Sequence, residues 1–68
     1  MKIQLTILRD MAINIYPNMQ IVYKSNKRIM FTNTKNGVCI AEYDIDTQEL
    51  IACSLKLYKT ILWEINDV

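Results

Sequence analysis

The chain contains no histidine. That removes the side chain that exchanges its proton near neutral pH, and with it the commonest ligand for transition metals. Its two cysteines, Cys39 and Cys53, are too few for a disulfide framework and lack the C-x-x-C spacing of zinc and redox sites. A single glycine and a single proline in 68 residues argue against a disordered or low-complexity chain. No apolar run reaches the roughly 20 residues that a membrane-spanning helix needs. The opening Met1–Asp10 is interrupted by Gln4, Thr6, Arg9 and Asp10, so it has neither the apolar centre nor the cleavage site of a signal peptide. From these absences we expect a cytoplasmic protein with no membrane contact, no cofactor, no metal and no enzymatic activity.

Apolar residues make up 51% of the chain, enough for one small domain over residues 1–68 with a thin core. The abundance of Ile, Asn and Lys suits an AT-rich genome, such as that of a low-GC bacterium or its phage. Net charge is only +1, yet the halves differ. Residues 1–41 hold Lys2, Arg9, Lys24, Lys27, Arg28 and Lys35 against Asp10 alone. Residues 42–68 hold six carboxylates against Lys56 and Lys59. Such asymmetry points to a charged partner.

The strongest local signal is Asn36-Gly37 between two β-rich runs, which predicts a hairpin with a two-residue type I′ turn. Asn26-Lys27 predicts a second two-residue turn. Ile45–Gln48 predicts a third, with Gln48 in the left-handed position that glycine usually fills. Strands are therefore expected at residues 19–25, 28–35, 38–44 and 49–54.

Leu5, Leu8, Met11, Ala12 and Ile15 recur at helical spacing, which predicts a helix over 3–16, ended by Pro17. Ser54 is a good N-cap for a second helix over 55–66, with Leu55, Tyr58, Ile61, Leu62 and Ile65 as its apolar stripe. Both segments also show odd-position alternation, so a strand competes with each helix. The expected fold is α+β: a four-stranded antiparallel meander over about residues 19–54, with both helices on one face.

Propagating the three turns places Ile21, Tyr23, Met30, Cys39, Ala41, Tyr43, Ile51 and Cys53 on the buried face. In that register Tyr23, Met30 and Tyr43 form a cross-strand row, which reads as core rather than as a platform for stacking bases. Cys39 and Cys53 read as small buried hydrophobes. The carboxylates of Asp44, Asp46 and Glu49 read as turn chemistry, since the loop lacks the length and glycine of an EF-hand.

One stretch points to a partner. Residues 20–36 carry four cations and no acid. The expected partner-binding set is Val22, Lys24, Lys27, Arg28, Ile29, Phe31, Asn33 and Lys35, a mixed apolar and basic face. The leading expectation is a small non-catalytic protein-binding module, such as a phage or mobile-element inhibitor or accessory protein. A homodimer or higher homo-oligomer is expected through that face or an open strand edge. The alternative is a nucleic-acid-binding regulator that uses the basic hairpin 24–35. The competing bland reading is a solvated edge whose charges pair with Glu42 and Asp44.

Overall fold

The computed structural model describes residues 1–66. The elements are α1 (Leu5–Ile15), β1 (Met19–Tyr23), β2 (Arg28–Asn33), β3 (Val38–Asp44), β4 (Glu49–Cys53) and α2 (Leu55–Asn66). The strands form one antiparallel sheet in the order β1-β2-β3-β4, as a meander should. Both terminal segments are helices, so helical periodicity outweighs the competing alternation. Neither helix is long and apolar enough to cross a membrane.

α1 buries Leu8 and Ala12, and Leu5, Met11 and Ile15 pack beside them, which is the stripe read from the sequence. It ends at Tyr16, whose backbone leaves helical geometry before Pro17. Its start is later than expected. Residues 1–3 are extended instead: Ile3 N–H donates to Gln48 O at 3.0 Å, and Leu50 N–H donates to Met1 O at 2.8 Å. Lys2 thus bridges Glu49 on the outer edge of β4. α2 begins as expected, with Ser54 Oγ accepting from Leu57 N–H at 3.2 Å.

The turns correct the expected register. Ser25 Oγ accepts from both Lys27 N–H and Arg28 N–H, and Lys24 N–H donates to Arg28 O. Ser25 therefore belongs to the loop, β1 stops at Tyr23, and Tyr23 pairs with Ile29 rather than Met30. The Asn36-Gly37 turn spans residues 34–37. Gly37 N–H donates to Asn33 O at 2.7 Å, and only Gly37 of the pair has positive φ, at 73°. This is a wider turn than type I′. The third turn places Gln48 in the left-handed region, φ 58°, as the spacing predicted.

Two bulges complete the correction. Phe31 pairs with Ala41 but Thr32 with Cys39, so Ile40 is the extra residue in β3. Glu42 pairs with Ala52 but Tyr43 with Leu50, so Ile51 is the extra residue in β4. As a result the core is Ile29, Phe31, Ile40, Ala41, Tyr43 and Leu50 from the sheet, closed by Leu8, Ala12, Leu57 and Ile61 from the helices. Ala41, Tyr43, Ile21 and Cys53 lie on the core side, as expected. Tyr23, Cys39 and Ile51 are exposed, and Met30 faces away from the core beside Glu42. The cross-strand row of Tyr23, Met30 and Tyr43 does not exist.

Candidate functional site

The expected partner-binding residues do not form one surface. Ile29 and Phe31 are 1% and 0% exposed, so they belong to the core and not to the surface. Two one-residue changes are the cause: the Ser25 loop reverses β2 relative to β1, and the extra residue Ile40 reverses it relative to β3, so each β2 side chain faces opposite to expectation. Val22, Lys24 and Arg28 do share the solvent face of the sheet, with Val22 opposite Met30. Asn33 is spent on its turn, its Oδ1 accepting from Lys35 N–H at 3.0 Å. Lys35 lies at the opposite end of β2 from Lys27 and Arg28.

The cations are also largely engaged within the chain. Lys24 Nζ donates to Glu42 at 2.7 Å. Arg28 reaches Asp44 through Nε at 3.2 Å and Glu42 through a terminal nitrogen at 3.5 Å. Lys27 lies 3.5 Å from Asp46. This is the intramolecular pairing weighed above as the bland reading. The Lys24 hydrogen bond, helped by the charges of Lys24 and Arg28, holds the Glu42 carboxyl below its ordinary pKa. The Thr47 backbone N–H, with Arg28, does the same for Asp44. The carboxylates of the third turn are thus occupied by its own backbone and by the basic loop. Among the described residues no group of three His, Cys, Asp or Glu side chains converges as metal ligands would.

Cys39 and Cys53 line a shallow depression of about 300 Å³ beside Ile40 and Ser54. Burial pushes the Cys53 thiol up, away from the reactive thiolate.

A different surface stands out. Among the described residues eleven large hydrophobic side chains are exposed, against ten in the buried core, so as many apolar groups lie outside as inside. Several of them adjoin one another. A groove of about 410 Å³ runs between the outer edge of β4 and the start of α2, lined by Met1, Leu50, Ile51, Cys53, Leu55 and Tyr58. Along α2, Leu55, Tyr58, Leu62 and Ile65 continue from it at three- and four-residue spacing, which puts them on one side of the helix. Leu55 is 67% exposed, Tyr58 41% and Ile65 51%, while Leu62 is half-buried.

The sequence reading assigned this stripe to the core, and of its five members only Ile61 is there. The core is instead served by Leu57 and Ile61. A signal was present. Leu55, Leu57, Tyr58, Ile61, Leu62, Trp63 and Ile65 are too many for the single face a helix turns to a sheet.

The two sheet edges differ as well. Among the described residues nothing pairs with the outer edge of β1. That of β4 is covered over its first half by residues 1–3 and open along Ile51–Cys53, where the groove lies. Compared with known proteins, the chain significantly matches no family model, no curated protein and no solved structure.

Proposed function

We propose that this protein is a non-catalytic protein-binding module that acts through the α2–β4 surface. The observation that carries the reading is the continuous apolar strip from Ile51 through Leu55 and Tyr58 to Leu62 and Ile65. Contiguous exposed apolar area on a small domain marks an interaction site, because covering it removes that area from water. The strip also has the make-up of an interface core: aliphatic side chains with one tyrosine, whose hydroxyl can remain wet while its ring is covered. The open backbone of Ile51–Cys53 adds donors and acceptors that an extended partner segment can pair with.

The basic hairpin supports this reading over nucleic-acid binding. Lys24, Lys27 and Arg28 already face carboxylates, so phosphate binding would have to displace Glu42, Asp44 and Asp46. Ile29 and Phe31, the apolar members of that set, lie beneath the sheet.

Site-specific photo-crosslinking tests the proposal. A benzophenone side chain at Tyr58 is expected to give a discrete protein adduct in cells that naturally make this chain, and one at Val22 to give none. Adducts from Val22 but not from Tyr58 would overturn the placement. Nucleic-acid adducts from position 35, with affinity falling steeply as salt rises, would overturn the function.

A further inference from the structure

We infer that the occupant of the α2–β4 surface is a second copy of this chain, its α2 packed antiparallel to the first about a two-fold axis. The inference rests on the protein-binding reading and names the partner at that same surface.

A two-fold interface must be self-complementary, with each contact made twice in exchanged roles. The spacing Leu55–Tyr58–Leu62–Ile65 is three, four, three, and it reads the same from either end. Laid antiparallel on a copy of itself, Leu55 meets Ile65 of the second copy and Tyr58 meets Leu62, each pair occurring twice. The side chains of one stripe then fall between those of the other.

The backbone dipole of a helix favours acids at its start and bases at its end. α2 has no acid in its first turn and no base in its last. Lys56 and Lys59 sit toward its start and Glu64 near its end, the opposite of what an isolated helix prefers. Among the described residues Lys56 Nζ lies over the Tyr16 ring of its own chain, 5.8 Å from the centroid, whereas Lys59 faces no carboxylate and Glu64 no cation. An antiparallel second α2 brings the acidic end of one helix beside the basic end of the other, and the two dipoles oppose. A parallel arrangement would stack like charges and like dipole ends.

The 12-residue α2 is about 18 Å long, so the two stripes overlap along their full length. The groove beside Leu55 lies where the C-terminal end of the second α2 arrives, and it gives the Ile65 side chain of that copy a place to enter.

Light scattering across about 5–100 μM tests this on the full chain, with the double variant Leu55→Glu/Ile65→Lys as the decisive arm. The expected mass for the wild type is twice the 8.0 kDa of one chain. Leu55→Glu and Ile65→Lys alter exposed positions, and circular dichroism should show both still folded. Each is expected to weaken the dimer about tenfold or more. Combined in one chain they are expected to restore it, because the antiparallel register sets each new acid against a new base. Val22→Glu, on the solvent face of the sheet, is expected to leave the dimer unchanged. A wild type that stays monomeric at about 100 μM overturns the inference, as does a dimer lost in Val22→Glu and kept in Leu55→Glu. A double variant no better than the singles overturns the antiparallel register. A monomer that crosslinks from Tyr58 to a different protein would remove the self-association and leave the binding surface standing.

Discussion

Phe31 of β2 lies directly opposite Ala41 of β3, and neither is exposed by more than 1%. The largest apolar ring in the sheet thus faces one of its smallest side chains. Both belong to the core that Leu8, Ala12, Leu57 and Ile61 close from the helices, so a small residue opposite the ring leaves it room in a close-packed interior.

This pair sets the first prediction. Phe31→Ala should destabilise the domain by about 3–5 kcal/mol through lost burial and the cavity it leaves. Ala41→Leu should cost about 1–3 kcal/mol by overpacking the same space. Met30→Ala, one position along but on the other face, should cost clearly less than Phe31→Ala. Urea unfolding of the three variants ranks them. If Met30→Ala proves the most damaging, the inside and outside of β2 are reversed.

Tyr43 carries the second. Its ring is in the core, and its hydroxyl donates to Ile3 O at 2.7 Å, which ties the extended residues 1–3 to the sheet. Tyr43→Phe should cost about 1 kcal/mol, the usual net value of such a bond. Burial, and then the charge of Asp44, raise the Tyr43 pKa in the folded state. A group shifted upward contributes its stability below the unfolded pKa, and that contribution disappears as pH rises through the folded one. Stability should therefore decline on the alkaline side of about pH 10, and Tyr43→Phe should flatten the decline in a thermal series over that range.

The ion network predicts the opposite limb. Glu42 and Asp44 have lowered pKa values, so their contribution is present above the ordinary carboxylate range. It is lost as pH falls through their folded values. Melting temperature should drop as pH falls below about 4, the unperturbed carboxylate region. Glu42→Gln should reduce the drop. An acid limb identical in wild type and variant would show that Glu42 contributes nothing to it.

Gly37 supplies the fourth. A Cβ there would meet nothing within 4 Å, so only its φ of 73° resists substitution. Gly37→Ala should cost about 1 kcal/mol and Gly37→Val more, within the 1–3 kcal/mol typical of left-handed non-glycine backbone. Differential scanning calorimetry checks the order Gly, Ala, Val. Equal melting temperatures for all three would mean that the turn does not hold position 37 left-handed.

The elements were legible because each has its own local signal: Pro17 after α1, Ser54 before α2, and turn residues between four β-rich runs. The register was not legible. It depends on whether a loop takes two residues or more, and the hydroxyl of Ser25 settled that by accepting two backbone N–H groups. The bulges at Ile40 and Ile51 have no sequence mark, since both are ordinary strand residues. Ile29 and Phe31 are consequently expected to face outward, and the expected binding face falls apart with them. Pairing of Lys24 with Glu42 and Asp44 could be foreseen, because the expected register already puts them on one face; Arg28 joins them only in the observed register, opposite Asp44. The α2 strip was misread for a different reason. A helical apolar stripe is normally core, and only the excess of apolar residues in α2 showed that one face could not bury them all.

The most direct test of the account is a hydroxyl-radical footprint of the chain, dilute and alone, compared with the chain in the assembly it forms in cells. Leu55, Tyr58 and Ile65 are expected to be protected on assembly, with Val22, Tyr23 and Val38 labelled equally in both states. Protection confined to Val22, Tyr23 and the basic loop, with Tyr58 and Ile65 unchanged, would contradict it.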